Sequence, residues 1–479
     1  VLLKLDEQEG RSETGTGDFA GALPTELSAD CPSPECMDYV GYTDLDGDIY
    51  RGSFSVDPSY DLNQTMSALR IDHELDFGTI TAISGYIDFD RGYSADIDAS
   101  PSAILEFYNT DKVRQLSQEI RLSGETNNTV WQVGVFYTND DVTSEYFGDL
   151  PVLLNTTTSS LAEIESTNLS LFANAEWALN DTLTLITGLR YSDEERDGLV
   201  YTDDLVSLAP ASFLSFAPFG TGPVRLAFVD DQVKDNSVDW KSGLNWQVAE
   251  NTLLYASISQ GTKSGGFFTG VVTSDEQLIP YGPEQLVGYE IGLKTQAADL
   301  GLSYEAALFY YDYEDVQTFI TDDSGAVPVD RLGNVSGATI HGLDAALQWR
   351  PPSFSGLALY ASIGLLDTEL ASFVSGATTI PKGNEQPDAP GFSGNLAASY
   401  EFSFSDSASM QIAVDGRYQG DTYRSVLNEV FSETASYWVI NARVSLYLQN
   451  EWEVTAWGRN INDEEYMTEF SNNLALGNG

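Results

Sequence analysis

The feature that most restricts this chain is a repeated unit: an alternating run, a very short polar turn, a second alternating run, then a long connection rich in Gly, Ser and Asp. Residues 165–203 show it. A run through Leu169, Phe172 and Trp177 ends at Leu179-Asn180-Asp181, returns from Thr182 to Tyr191 and opens into an acidic segment at Asp193. The short turn recurs at 246–251, 298–301, 351–355, 403–407 and 449–451, with earlier copies at Phe77-Gly78 and 126–128. Long connections lie between, for example 10–58, 204–231 and 374–386. Short turns alternating with long loops are the mark of a hairpin barrel.

Within each run the period is two. Trp131, Val133, Val135 and Tyr137 alternate with Gln132, Gly134 and Thr138, and Leu183, Leu185, Leu189 and Tyr191 alternate with Thr182, Thr184, Gly188 and Arg190. In a strand those two sets face opposite sides. A soluble sandwich would alternate in the same way, so tryptophan placement matters. Trp131, Trp177, Trp246, Trp349 and Trp452 all fall close to a short turn, where a membrane-interface belt requires them. A sandwich would more often hold Trp in mid-strand. No run of eighteen apolar residues exists to make a transmembrane helix, and mean hydropathy is -0.19. Barrel strands, apolar on one face only, are compatible with both facts.

The expectation is an all-β chain: a large antiparallel transmembrane β-barrel over residues 1–479, with about seventeen strands, short periplasmic turns and long extracellular loops. Outer-membrane lipid and lipopolysaccharide would surround it. The first run, Val1 to Glu9, and the last, Glu451 to Phe470, would be left without outer partners. Unpaired backbone in lipid costs several kcal/mol per group, so the chain is expected to be part of a larger barrel. A net charge of -51 repels nucleic acid and sets that class of partner aside.

Chemistry-bearing residues are sparse. The two histidines, His73 and His341, lie far apart on expected strands. Each reads as a lumen or interface residue before a metal ligand or catalyst, and no Gly-x-Ser-x-Gly elbow stands in a strand-to-helix setting. Cys31 and Cys36, in Cys-Pro-Ser-Pro-Glu-Cys, are too few for a four-ligand zinc site. They fit a small disulfide-closed loop, with free thiols as the alternative. Asp44, Asp46 and Asp48 around Gly47 could offer oxygens to one Ca²⁺ in an extracellular loop. The segment lacks the closing Glu of a full calcium loop, and a plain acidic turn is the other reading. Asp193, Glu194 and Glu195 read as solvated charge. The glycines of 261–266 meet no nucleotide pattern and read as structural. Phe213, Phe216, Phe219, Phe267, Phe268 and Tyr281 fall in or beside expected external loops, where they would line a binding vestibule or pack the loops together.

Several segments resemble the barrel of TonB-dependent outer-membrane receptors. They are Gln118-Glu119-Ile120-Arg121-Leu122-Ser123-Gly124, Thr187-Gly188-Leu189-Arg190-Tyr191-Ser192, Ser259 to Phe267, Pro283-Glu284-Gln285-Leu286 leading into Gly288 to Lys294, and Gly458 to Tyr466. Their order and spacing span nearly the whole chain. The resemblance implies a twenty-two-stranded barrel with an N-terminal plug and a TonB-contacting segment. By this count strands five to twenty-one lie within residues 1–479, and the plug, the TonB-contacting segment, the first strands and the last strand do not. The resemblance implies a receptor, not an enzyme, that takes up a scarce solute when the TonB complex acts on the plug. A ferric siderophore is the default ligand, with cobalamin, haem or an oligosaccharide as alternatives. A passive porin is one rival reading and a soluble secreted β-protein, such as an adhesin or a carbohydrate-active enzyme, is another; no cofactor is required.

Overall fold

The computed structural model describes residues 1–12, 36–38, 40–44, 53–448 and 452–468. The first long strands are β1 (Leu2–Ser12), β2 (Ser59–Leu75), β3 (Gly78–Asp96), β4 (Glu106–Glu125), β5 (Thr129–Leu150), β6 (Thr156–Asn180) and β7 (Leu183–Asp204). They continue as β8 (Val224–Ala249), β9 (Thr252–Lys263), β10 (Glu284–Ala297), β11 (Leu302–Asp322), β12 (Val329–Trp349) and β13 (Leu357–Leu370). Four more follow: Phe392–Ser405, Ala408–Gln419, Tyr437–Leu448 and Trp452–Gly458. All belong to one 17-stranded sheet in which each strand pairs antiparallel with the next long strand.

Local chemistry explains the turns. Asn180 Oδ1 accepts from the backbone N–H of Thr182 at 2.9 Å and of Leu183 at 3.0 Å, a side-chain-closed turn between β6 and β7. Gly301, at φ +63, ends the turn between β10 and β11. A Cβ there would lie 1.9 Å from the Arg350 carbonyl oxygen, so only glycine fits.

Cross-strand partners point to the same side of a sheet, so the register reveals its two faces. Leu183, Trp246, Leu254, Leu293, Ala306, Ala345 and Ile363 form one unbroken line of partners from β7 to β13. One residue along runs Thr184, Asn245, Tyr255, Gly292, Ala307, Asp344 and Gly364. The first line is apolar and the second polar or small. Ile291 is 59% exposed, Leu308 53% and Leu396 56% on the apolar face. Water does not tolerate so broad an apolar surface, and hydrocarbon does. Among the described residues no second sheet covers it, which removes the sandwich alternative. The buried apolar clusters are small and lie towards the long connections. One joins Ala162, Val200, Ala227, Phe267, Val272 and Leu278; another gathers around Val316, Leu370 and Phe373.

Three boundaries differ from the sequence reading. β8 starts at Val224, so the 204–231 connection shrinks to 205–223. Connection 374–386 becomes 371–391 and contains a small hairpin, Phe373–Ser375 with Thr378–Ile380. The last strand ends at Gly458 instead of continuing to Phe470, because asparagine side chains capture the ladder. Asn462 Oδ1 accepts from Ile440 N–H at 2.9 Å and its Nδ2 donates to the Trp438 carbonyl at 2.7 Å, while Asn460 sits at φ +48.

The two faces predict unequal tolerance of charge. Ile291→Arg should destabilise the folded protein in lipid vesicles by about 2–4 kcal/mol. Ser257→Arg on the polar face should cost less than half of that. Equal shifts in urea midpoint for the two variants would contradict the assignment of faces.

Candidate functional site

At the long-loop end, the connection 264–283 between β9 and β10 folds across the polar face instead of standing clear of the sheet. Apolar side chains hold it there. Phe267, Val272 and Leu278 pack on Ala162, Val200 and Ala227 of β6, β7 and β8, with Val329 of β12 alongside. Val200 shares a strand face with Gly188 and Arg190 by the period of two, so this contact lies on the polar side. The segment is a strap along the upper inner wall.

Hydrogen bonds pin both ends of the strap. Gly265 N–H donates to Asp235 Oδ2 at 2.8 Å, Ser264 Oγ to Glu194 Oε2 at 2.7 Å, and the Arg196 guanidinium to the Gly265 carbonyl. Gly266 and Tyr281 exchange two backbone bonds of 3.0 Å each. A Cβ on Gly265 would come within 2.4 Å of the Tyr281 carbonyl oxygen, so this glycine permits a close backbone approach. Gln317 Nε2 donates to the carbonyls of Ser264 and Gly282, at 2.9 and 3.0 Å. In the middle, fully buried Gln277 donates to the carbonyls of Asp322 and Val327 and accepts from Thr273 N–H at 2.7 Å. Burial pushes the Tyr281 phenol above its usual range, against the opposing pull of Arg196.

The structure divides the six vestibule candidates into two groups. Phe267 is only 6% exposed and is committed to packing, with its ring against Gly198. Phe268 is half-buried, edge-on to Phe319 at 6.3 Å, and Tyr281 is half-buried at the foot of the strap. Phe213, Phe216 and Phe219 lie instead on the 205–223 connection, all exposed, Phe216 at 81%. That connection is braced from beneath: buried Asp204 accepts from Thr156 Oγ1 at 2.6 Å and from the N–H groups of Val206 and Ser215. Phe216 itself holds φ +59. Three phenylalanines therefore face outwards on a fixed support.

The other sequence candidates lie elsewhere. Cys36 is fully buried, and Cys31 lies outside the described residues, as do Asp46 and Asp48; Asp44 closes a described stretch. His73 pairs with Ile80 near a short turn. His341 stands beside the Tyr310 ring and 3.5 Å from Asp367, on the apolar face by register. Among the described residues no three His, Cys, Asp or Glu side chains are grouped to hold a metal.

Trp131, Trp177, Trp246, Trp349 and Trp452 all sit beside short turns, and four of them are exposed. Sequence reading missed a second aromatic row above them. Tyr191 lies eight residues along β7 from Leu183, the partner of Trp246, and Tyr310 eight along β11 from Leu302, the partner of Trp349. Trp438 lies ten from Leu448, the partner of Trp452. These offsets are about 20–25 Å along the membrane normal for strands tilted by about 40°, the height of an apolar band. The signal was present as a second aromatic one bilayer away on the same strand face.

At the rim, the 97–105 connection is organised by Asp98, which accepts from the N–H groups of Ser100 at 3.2 Å and Leu105 at 2.8 Å. Burial pushes the Asp98 carboxyl up to about 6, Asp96 adding to the rise while the hydrogen bonds oppose it.

A family model described as TonB dependent receptor-like, beta-barrel, matches residues 9–461. The chain is similar in structure to the ferric yersiniabactin uptake receptor FyuA from Yersinia pestis, with a TM-score of 0.70 and 17% identity over 87% of this chain and 59% of that one. It is similar to the closed form of the ferric-catecholate import receptor Fiu from E. coli K12, with a TM-score of 0.67 and 15% identity over 97% of this chain and 68% of that one. The copper transporter OprC gives a TM-score of 0.62 and 13% identity over 86% of this chain and 61% of that one. The chain thus spans about three fifths to two thirds of the length of these proteins.

Two outcomes are expected. Gln277→Leu leaves buried carbonyls unsatisfied at about 1–3 kcal/mol, so amide exchange over 264–283 should accelerate on the order of 10- to 100-fold while the barrel strands stay protected. Unchanged exchange would show that the strap is held otherwise. The raised Asp98 value means that the closed loop binds its proton more tightly than the open one. Its contribution is full below the ordinary value near 3.8 and lost as pH rises through about 6. Exchange protection over 97–105, corrected for intrinsic rates, should be higher at about pH 4.5 than at about pH 7.5, and Asp98→Asn should reduce the difference.

Proposed function

Because the chain belongs to the TonB-dependent receptor β-barrel family, we propose that it carries out active uptake of a scarce solute across the bacterial outer membrane, with a ferric siderophore as the first ligand to test. The family comprises receptors and transporters, not enzymes, and the chain is an outer-membrane protein. The observation that carries the proposal is the strap 264–283, fixed over the polar face along β6–β8 and β11–β12 by an apolar cluster and specific hydrogen bonds. A surface held in one shape by so many bonds suits selective recognition better than unselective passage.

In this reading the solute is caught at the rim, where Phe213, Phe216 and Phe219 stand exposed and Phe268 and Tyr281 border the strap. Energy comes from the TonB complex of the inner membrane, acting through differential binding and rearrangement with no covalent step. Trp131, Trp177, Trp246, Trp349 and Trp452 mark the periplasmic interface and Tyr191, Tyr310 and Trp438 the outer one. Of the similar structures, two are receptors for ferric chelates and one transports copper, which supports a metal chelate as cargo.

The test is uptake by the full-length receptor in cells stripped of other iron receptors, using a panel of radiolabelled ferric siderophores. Accumulation of at least one should saturate and fall to background when the proton-motive force is collapsed. Flux that rises linearly with concentration and survives the uncoupler would establish a passive channel instead.

A further inference from the structure

At the rim, β3, β4 and β5 set three carboxyl groups side by side. Asp96, Glu106 and Asp149 are cross-strand partners in one line, so their side chains share a face. The line stands well clear of the membrane. Tyr191 of the outer aromatic row is level with Leu171, Val135 and Ile120, and Glu106 lies about 35 Å above that level for strands of the same tilt. Like charges directly opposite one another destabilise a sheet, yet Glu106 is only 1% exposed. Among the described residues its Oε2 is buried with no hydrogen-bond partner.

Ser55 ties a separate segment, 53–58, to this line. Its N–H donates to Asp96 Oδ2 at 2.7 Å, and its Oγ lies 3.1 Å from that same oxygen and in contact with Glu106 Oε1. Asp96 Oδ1 accepts from Ala99 N–H at 2.9 Å, which joins the 97–105 connection to the assembly. Further along, Ser94 Oγ donates to the Asp57 carbonyl at 3.0 Å. The Ser55 hydroxyl has a single proton for two carboxyl groups. Whichever one it serves, a Glu106 carboxylate would be buried between two others with at most one donor, at a heavy desolvation cost. A proton on Glu106 removes the conflict. Glu106 then donates to Ser55 Oγ, Ser55 donates to Asp96, and the middle of the line is uncharged.

We propose that the rim carries a proton-operated latch: protonated Glu106 holds segment 53–58 on β3 and β4 through Ser55, and loss of that proton releases the segment. Ser55 itself is exposed, so water can take its place when the bond is lost. The charged groups around Glu106 are Asp96 of β3, Asp98 of the 97–105 connection and Asp149 of β5, with Tyr108 beside it on β4. Asp57 is the titratable residue of the segment itself. Burial pushes the Glu106 carboxyl up to about 7; the Ser55 hydroxyl opposes the rise, and Asp98, Asp149 and Asp96 add to it. The latched rim therefore binds this proton more tightly than the open one. The contribution is full below the ordinary value of 4.5 and lost as pH rises through about 7. The latch is a property of the rim and does not depend on the transport reading.

The test is amide exchange over residues 53–59 of the full-length receptor in lipid vesicles, corrected for intrinsic rates. A heat-induced gel shift confirms that each variant is folded. Protection in the unaltered receptor should fall on the order of 10-fold between about pH 6 and about pH 8.5. Glu106→Gln, uncharged at every pH, should keep the protected value throughout, whereas Asp98→Asn should retain the fall. Ser55→Ala leaves Glu106 in place and should show the low value at both pH values. No fall in the unaltered receptor, an equal fall in Glu106→Gln, or full protection in Ser55→Ala at about pH 6 would overturn the latch. So would protection restored at about pH 8.5 by added Ca²⁺, which would show that a metal cation and not a proton closes the line.

Discussion

A peptide group in hydrocarbon has no water to bond, and leaving one unpaired costs several kcal/mol. The rest of the structure depends on meeting that demand. Among the described residues the chain does so with long antiparallel ladders, seventeen strands in one sheet, each paired antiparallel with the next long strand. Because pairing satisfies the backbone, side chains are free to serve the two environments. The period of two then delivers apolar groups to lipid and polar or small groups to the lumen without any conventional core.

The same demand explains where irregular structure can occur. Connections at one end are as short as a turn allows, whereas the other end, in water, carries the long ones. β5 to β8 run 22 to 26 residues, about twice what a bilayer crossing needs, so they continue into solvent as a raised wall. The strap 264–283 leans on that wall from inside. Its apolar cluster and its buried Gln277 make it a fixed element of the lumen, and the adjoining 205–223 connection shows three phenylalanines to the exterior. The exposed connection outside and the strap within are thus supported by one set of tall strands.

Much of this was legible in the sequence. Asn180-Asp181, Phe77-Gly78 and 298–301 are turns because of local chemistry, and local chemistry is what a sequence displays. The alternation around Leu183 to Tyr191 likewise specified a face before the register did. Three features were missed. The extension of β8 back to Val224 pairs with β7, and Val224-Arg225-Leu226-Ala227-Phe228-Val229 is itself strand-like, so this one could have been read from composition. The end of the last strand at Gly458 depends on Asn460 and Asn462 finding partners near residues 438–441. Phe267 could be read as lining a vestibule or as packing its loop, and nothing local reveals that the loop folds inwards onto Gly198 and Val200. Of the candidate site, residue types were readable and their grouping was not.

The central claim is that one face of the sheet meets hydrocarbon and the other water. Spin labels placed singly along 289–294 of β10 in the lipid-embedded receptor test it most directly. Collision with dissolved oxygen should be high at positions 289, 291 and 293 and low at 290, 292 and 294, with a water-soluble nickel chelate giving the opposite alternation. If both alternations vanish, or if the odd positions are shielded from both reagents as between two packed sheets, the account is wrong.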